Sequence, residues 1–131
     1  MIIIRWNKSW KNLLLKLTTD NGHFGDYELR LRSRKLGKIM NSFRDGCFED
    51  DLSDDFDISQ VCSDPNDLFI TCKVNLSSFN QIDLGYCTHA KLFVDGKFVG
   101  EDSDPPSGQS ASFPPGGGFA SQLLRIYFEE N

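Results

Sequence analysis

Hydrophobic and polar positions alternate with a period of two along most of the chain, and in one stretch they do not. Leu68, Ile70, Cys72, Val74 and Leu76 are separated without a miss by Phe69, Thr71, Lys73 and Asn75. Successive side chains of a strand point to opposite faces, so this run predicts a strand with one buried side. Leu124, Ile126 and Phe128 alternate in the same way, and Ile2–Trp6 is a short run rich in β-branched residues that reads as a buried strand. Tyr27, Leu29 and Leu31 alternate with Glu28, Arg30 and Arg32. The segment 7–18 has two readings. Leu13, Leu15, Leu17 and Thr19 alternate as in a strand, while Trp6, Trp10, Leu13, Leu14 and Leu17 fall at helical spacing. With Asp20-Asn21-Gly22 supplying a turn, a hairpin over 12–33 is the favoured reading.

The exception is 34–46. Leu36, Ile39, Met40 and Phe43 recur at i, i+3, i+4 and i+7, which makes one apolar helical stripe, and Gly46 stands where a helix would be capped. Gly37 inside the pattern weakens it by about 1 kcal/mol relative to Ala. Asp95-Gly96, between Lys91–Val94 and Lys97–Gly100, is a two-residue hairpin signal, because the favoured turn needs positive φ at both positions. That hairpin would place Phe93 and Phe98 on one face, with a helix expected to cover them. Twelve of the eighteen residues in 101–118 are Gly, Pro or Ser, which predicts a long flexible loop. The expected fold class is therefore α+β. It is a single domain over 1–131 with a mostly antiparallel sheet of about five to seven strands, including the 91–100 hairpin, and one or two packed helices, the best candidate being 34–46.

Charge changes the picture more than composition does. The net charge is −5, but residues 1–44 hold ten Lys and Arg against three acids, whereas residues 45–72 hold nine acids and no base. An acidic balance argues against direct nucleic-acid binding, which needs a basic field to recruit phosphates. No stretch is apolar enough to span a bilayer, and the opening Ile run meets Arg5 too soon for a secretory signal, so a cytoplasmic location without membrane contact is expected.

Four constellations bear on chemistry. The acidic run contributes Glu49, Asp50, Asp51, Asp54, Asp55 and Asp57, with Leu52 and Phe56 inside it as apolar anchors. Its spacing fails as a calcium loop, because the position needing Gly is Gln60 and the one needing Glu is Asn66. Acids with embedded apolar residues suit a protein interface, where one sign of charge steers a basic partner. Cys62, Cys72, Cys87 and His89 supply possible metal donors, but no Cys-x-x-Cys pair is present and no metal or cofactor is expected. Cys87 and His89, two residues apart on a strand, would lie about 7 Å apart, too far for a nucleophile and its base. Gly116-Gly117-Gly118 is followed by no base until Arg125 and makes a poor phosphate cradle.

Arg30, Arg32 and Arg34, with Lys35 and Lys38 beyond, form a basic stripe in which no stacking partner is expected, since Tyr27, Leu29 and Leu31 lie on the opposite face. No acid, base and nucleophile set is assembled, so the chain is expected not to be an enzyme. The expectation is a non-catalytic protein-binding domain whose acidic residues occupy the basic surface of a protein partner. The profile of a short acidic chain without a catalytic constellation is similar to that of immunity proteins that neutralise toxic nucleases, although no motif carries the similarity. The alternatives are a small ligand- or metal-ion-binding β-rich domain and a small Cys/His enzyme.

Overall fold

A computed structural model describes residues 1–20, 24–37, 39–48, 54–59, 65–78, 85–106, 111–113 and 118–130. Among the described residues nine strands, rather than the five to seven expected, run in chain order: β1 (Ile2–Trp6), β2 (Leu13–Thr19), β3 (Phe24–Ser33), β4 (Ile39–Phe48), β5 (Asp54–Asp57), β6 (Leu68–Ser78), β7 (Thr88–Val94), β8 (Lys97–Asp104) and β9 (Gly118–Glu130). They form a five-stranded sheet, β1-β9-β6-β3-β4, and a four-stranded sheet, β5-β2-β7-β8. Every pairing is antiparallel except β1 with β9, which is parallel. The apolar positions of both sheets face one core: Leu29, Leu31, Ile70, Val74, Leu124 and Phe128 from one, Leu13, Leu15, Leu17, Ala90 and Leu92 from the other. Two sheets packed face to face bury alternate residues and leave the rest to solvent, which is why the alternation is so regular.

The expected α+β class is overturned: no α-helix occurs among the described residues, and both sheets are buried against each other instead. The helix expected over 34–46 is a turn followed by β4. Gly37 has φ +62°, a left-handed conformation that no helix interior accommodates, and Leu36 is 59% exposed. Asp67 fixes that turn from outside. Its carboxylate accepts the Ser33 hydroxyl at 2.9 Å and the Lys35 N–H at 3.0 Å, while its carbonyl accepts the Arg34 N–H at 2.7 Å. The Lys35 N–H is the chief reason the Asp67 carboxyl is held below its ordinary value, with Ser33 adding to it against the cost of burial. The helical spacing of Trp6 and Trp10 has another origin: their rings meet edge to face at 5.3 Å across the bend between β1 and β2.

Two further expectations are corrected. The segment 12–33 does contain two strands, but β2 and β3 lie in different sheets and do not pair, β2 joining β5 and β7 and β3 joining β4 and β6. Residues 101–104, expected in a loop, belong to β8. At 91–100 the chain forms a hairpin, with φ +48° at Asp95 and +82° at Gly96. Phe93 pairs with Phe98, and a bulge then moves Leu92 opposite Gly100 rather than Val99.

The β8 strand also closes one side of the sandwich. Beside β9, β1 covers only Ile126–Glu130, which would leave the N–H groups of Leu123 and Arg125 without a strand partner on that side. Asp104 and Asp102 of β8 accept them, each at 2.9 Å. Gly100 lies against β1, where an added Cβ would meet the Cδ1 ends of the Ile2 and Ile4 side chains at 2.8 Å.

Candidate docking face

The acidic run is the first place to build a site. Glu49, Asp50, Asp51 and Leu52 lie outside the described residues. Asp54 pairs in register with Leu17 at the start of β5, and its side chain also lies outside them. Asp55 and Asp57 are exposed on the outer face of β5. Phe56, expected to be an apolar anchor for a partner, is a correction: it alternates with those two aspartates, so it points inward and is 5% exposed. Its ring meets Tyr27 of the opposite sheet edge to face at 5.4 Å. Asp55-Phe56-Asp57-Ile58 carries the same period-two signal as the other strands, with Ile58 fully buried after Phe56.

Apolar contact area on this face comes from residues that sequence reasoning did not select as partner-binding. The four-stranded sheet places two rows side by side on its outer surface. One runs Asp57, Leu14, Phe93, Phe98 across β5, β2, β7 and β8; the next runs Asp55, Lys16, Lys91, Glu101. Leu14 is 38% and Phe98 55% exposed. Phe93 lies edge to face with Phe98 at 5.8 Å. No described helix covers the pair, contrary to expectation, because the protein spends its strands on a second sheet that takes the other face. Leu14, Phe93, Lys16, Asp55 and Asp57 surround an open depression of about 470 Å³. In the second row, Lys16 and Lys91 face each other across β2 and β7, and the acids on either side offset that repulsion. Because β5 is an edge strand, its aspartates also discourage another chain from adding to the sheet at that edge.

The basic stripe lies on the other outer surface. Arg30 and Arg32 alternate with buried Leu29 and Leu31, so they point away from the core on the five-stranded sheet, with the thickness of the sandwich between them and Asp55 and Asp57. Their local partners are on that same sheet. Arg32 Nε donates to Thr71 Oγ1 at 3.1 Å, and Arg30 Nη1 to the Leu29 carbonyl at 3.1 Å. The Arg34 guanidinium lies 4.8 Å from the Tyr127 ring centroid. Tyr127 in turn stacks on Phe69 at 4.7 Å. Aromatic neighbours of the stripe therefore do exist. They come from β6 and β9, where the Arg32–Phe69–Tyr127 row is visible only once strand pairing is known.

The cysteines separate. Cys72 is core, and burial pushes its thiol up to about 12. Cys87 lies just before β7, where burial, aided by the negative charges of Asp20, Asp104 and Glu101, pushes its thiol up to about 11. Cys62 lies outside the described residues. The donor set Cys62, Cys72, Cys87 and His89 is thus not brought together as far as it is described, since Cys72 lies inside the other sheet. Cys87 instead meets His89 and Asp20, with the ligand atoms of all three within 4.8 Å of one another.

No helix among the described residues is long and apolar enough to cross a membrane. No family model and no curated protein sequence matches the chain. Among solved structures, the chain is similar to a domain of unknown function, DUF4425, from Bacteroides vulgatus ATCC 8482, at 10% identity and a TM-score of 0.39 over 88% of this chain and 94% of that one.

Proposed function

We propose that this chain is a non-catalytic, cytoplasmic protein-binding domain that docks a basic protein surface through the outer face of its four-stranded sheet. The observation that carries the reading is the outward apolar row Leu14, Phe93 and Phe98, exposed at Leu14 and Phe98 and half-buried at Phe93, running into Asp57, with Asp55 beside it. Interfaces are enriched in aromatic residues at their centre and owe their approach rate to charge at the rim. Here the aromatics sit on β7 and β8 and the acids on the β5 edge, so Lys or Arg of a partner would meet Asp55 and Asp57 while aliphatic side chains cover Phe98. The specific form we favour is an inhibitor of the immunity type, which occupies the positive cleft of a toxic nuclease by presenting carboxylates where phosphates would bind.

The experiment is capture of a partner from native extract on the immobilised chain, followed by association kinetics with the identified protein. The partner is expected to be basic and to be released by salt. Asp55→Lys with Asp57→Lys should slow association about tenfold or more at low ionic strength. Arg30→Glu with Arg32→Glu, on the opposite face, should not slow it. A partner that associates equally fast with the Asp55/Asp57 double variant would overturn the proposal.

A further inference from the structure

Asp20, Cys87 and His89 are brought together by the pairing of β2 with β7. Thr18 pairs with His89 and Thr19 with Thr88, so Asp20, one residue past the end of β2, comes opposite Cys87 and donates its N–H to the Cys87 carbonyl at 2.9 Å. Thr88 is fully buried, and its neighbours Cys87 and His89 are directed to the other side of the strand. The His89 Nε2 atom ends 3.1 Å from Asp20 Oδ1. A thiol and an imidazole two residues apart thus converge with a carboxylate distant in sequence at one rim of the four-stranded sheet.

The geometry points to a site for one zinc-class divalent ion, held by Asp20 Oδ1, Cys87 Sγ and His89 Nε2, with water completing four-coordination. A tetrahedral ion bound at about 2.0–2.3 Å sets its donors about 3.3–3.6 Å apart. The His89–Asp20 separation of 3.1 Å is already close to that, and a limit of 4.8 Å for all three leaves about 1 Å to be closed. The remaining distance is to Cys87 Sγ, which now donates to the Pro105 carbonyl at 3.3 Å and would turn from it towards the ion.

Outer partners orient the imidazole as metal sites require: His89 Nδ1 lies 2.8 Å from Ser103 Oγ on β8 and 3.8 Å from Glu101 Oε2. The donor set also selects the ion. Thiolate and imidazole disfavour calcium and magnesium, which take oxygen, and suit zinc or its spectroscopic substitute cobalt. Glu101, whose carboxylate lies 3.8 Å from His89 Nδ1, adds negative charge that favours a cation there, and binding would release the Cys87 thiol proton to solvent.

The test is titration of the reduced full chain with cobalt(II) near neutral pH. A visible tetrahedral spectrum and a thiolate-to-cobalt charge-transfer band are expected at one equivalent, both abolished by added zinc. Cys87→Ser should remove the charge-transfer band, and Cys72→Ser should keep it. His89→Gln, which leaves the thiol in place, should weaken binding at least about tenfold and so covers the case in which Cys87→Ser does not fold. An absent band in the native chain, or a band that survives Cys87→Ser or is unaffected by His89→Gln, overturns the site.

Discussion

Phe56→Ala should lower the unfolding free energy by about 3–5 kcal/mol, the range for deleting a buried aromatic ring. The ring belongs to a strand of only four residues at the edge of its sheet, yet it is 5% exposed and closes edge to face on Tyr27 of the opposite sheet. Removing it therefore opens a cavity between the sheets rather than trimming a surface. The exposed neighbours give the contrast: Asp55→Ala should change stability by less than about 0.5 kcal/mol, and Asp57→Ala, which also loses the Ser59 N–H that its carboxylate accepts at 3.0 Å, by no more than about 1 kcal/mol. Denaturant unfolding of the three variants distinguishes the two roles that an acidic stretch with an embedded Phe permits. An anchor waiting for a partner could be deleted with little loss of stability, whereas a core residue cannot.

Gly46→Val should be destabilising by about 1–3 kcal/mol or more, although valine favours strands and β4 is a strand. The cause is Tyr27. It pairs with Gly46 across β3 and β4, and a Cβ at Gly46 would fall within 2.5 Å of the Tyr27 Cζ atom and against its hydroxyl. A ring lying over a cross-strand glycine shields backbone that has no side chain of its own, and any added atom must push it away. Tyr27 is 1% exposed and already in contact with Phe56, so the displacement would be transmitted to the other sheet. The two substitutions are accordingly expected to be less than additive, since deleting Phe56 gives Tyr27 somewhere to go. A double-mutant cycle by denaturant unfolding reads that coupling; full additivity would mean that Tyr27 does not link the sites.

Much of the strand content was legible. Alternation in β6 and β9 marks which residues are buried, and Asp95-Gly96 marks a turn through its positive φ values. The misreading of 34–46 has a definite cause. Leu36, Ile39, Met40 and Phe43 happen to repeat at helical intervals, but the repeat bridges a turn and a strand, and the left-handed Gly37 divides it. The turn is held by Asp67, thirty-two residues from Lys35, and local periodicity carries no trace of such a contact.

Strand partnership was equally hidden. The segment 12–33 looks like a hairpin because its two strands are adjacent in sequence, whereas burial of both apolar faces requires them in separate sheets. The sites suffered in proportion. Asp55 and Asp57 could be picked out from charge alone. Leu14 and Phe98 join them, and Phe69 joins Arg32, only through pairing. Asp20 carries only a turn signal in the sequence, and its approach to Cys87 follows from the β2–β7 register.

The proposed function requires that the acidic β5 edge, Asp55 and Asp57, stay electrostatically separate from the Arg30 and Arg32 stripe on the opposite outer face. Amide-proton relaxation by cationic and anionic nitroxide co-solutes at low ionic strength measures that separation on the protein alone. The amides of Asp55 and Asp57 should relax faster with the cationic probe, and those of Arg32 and Arg125 faster with the anionic one. Equal relaxation of the Asp55 and Asp57 amides by both probes would mean that the β5 edge carries no net negative field, and no basic partner would be drawn to it.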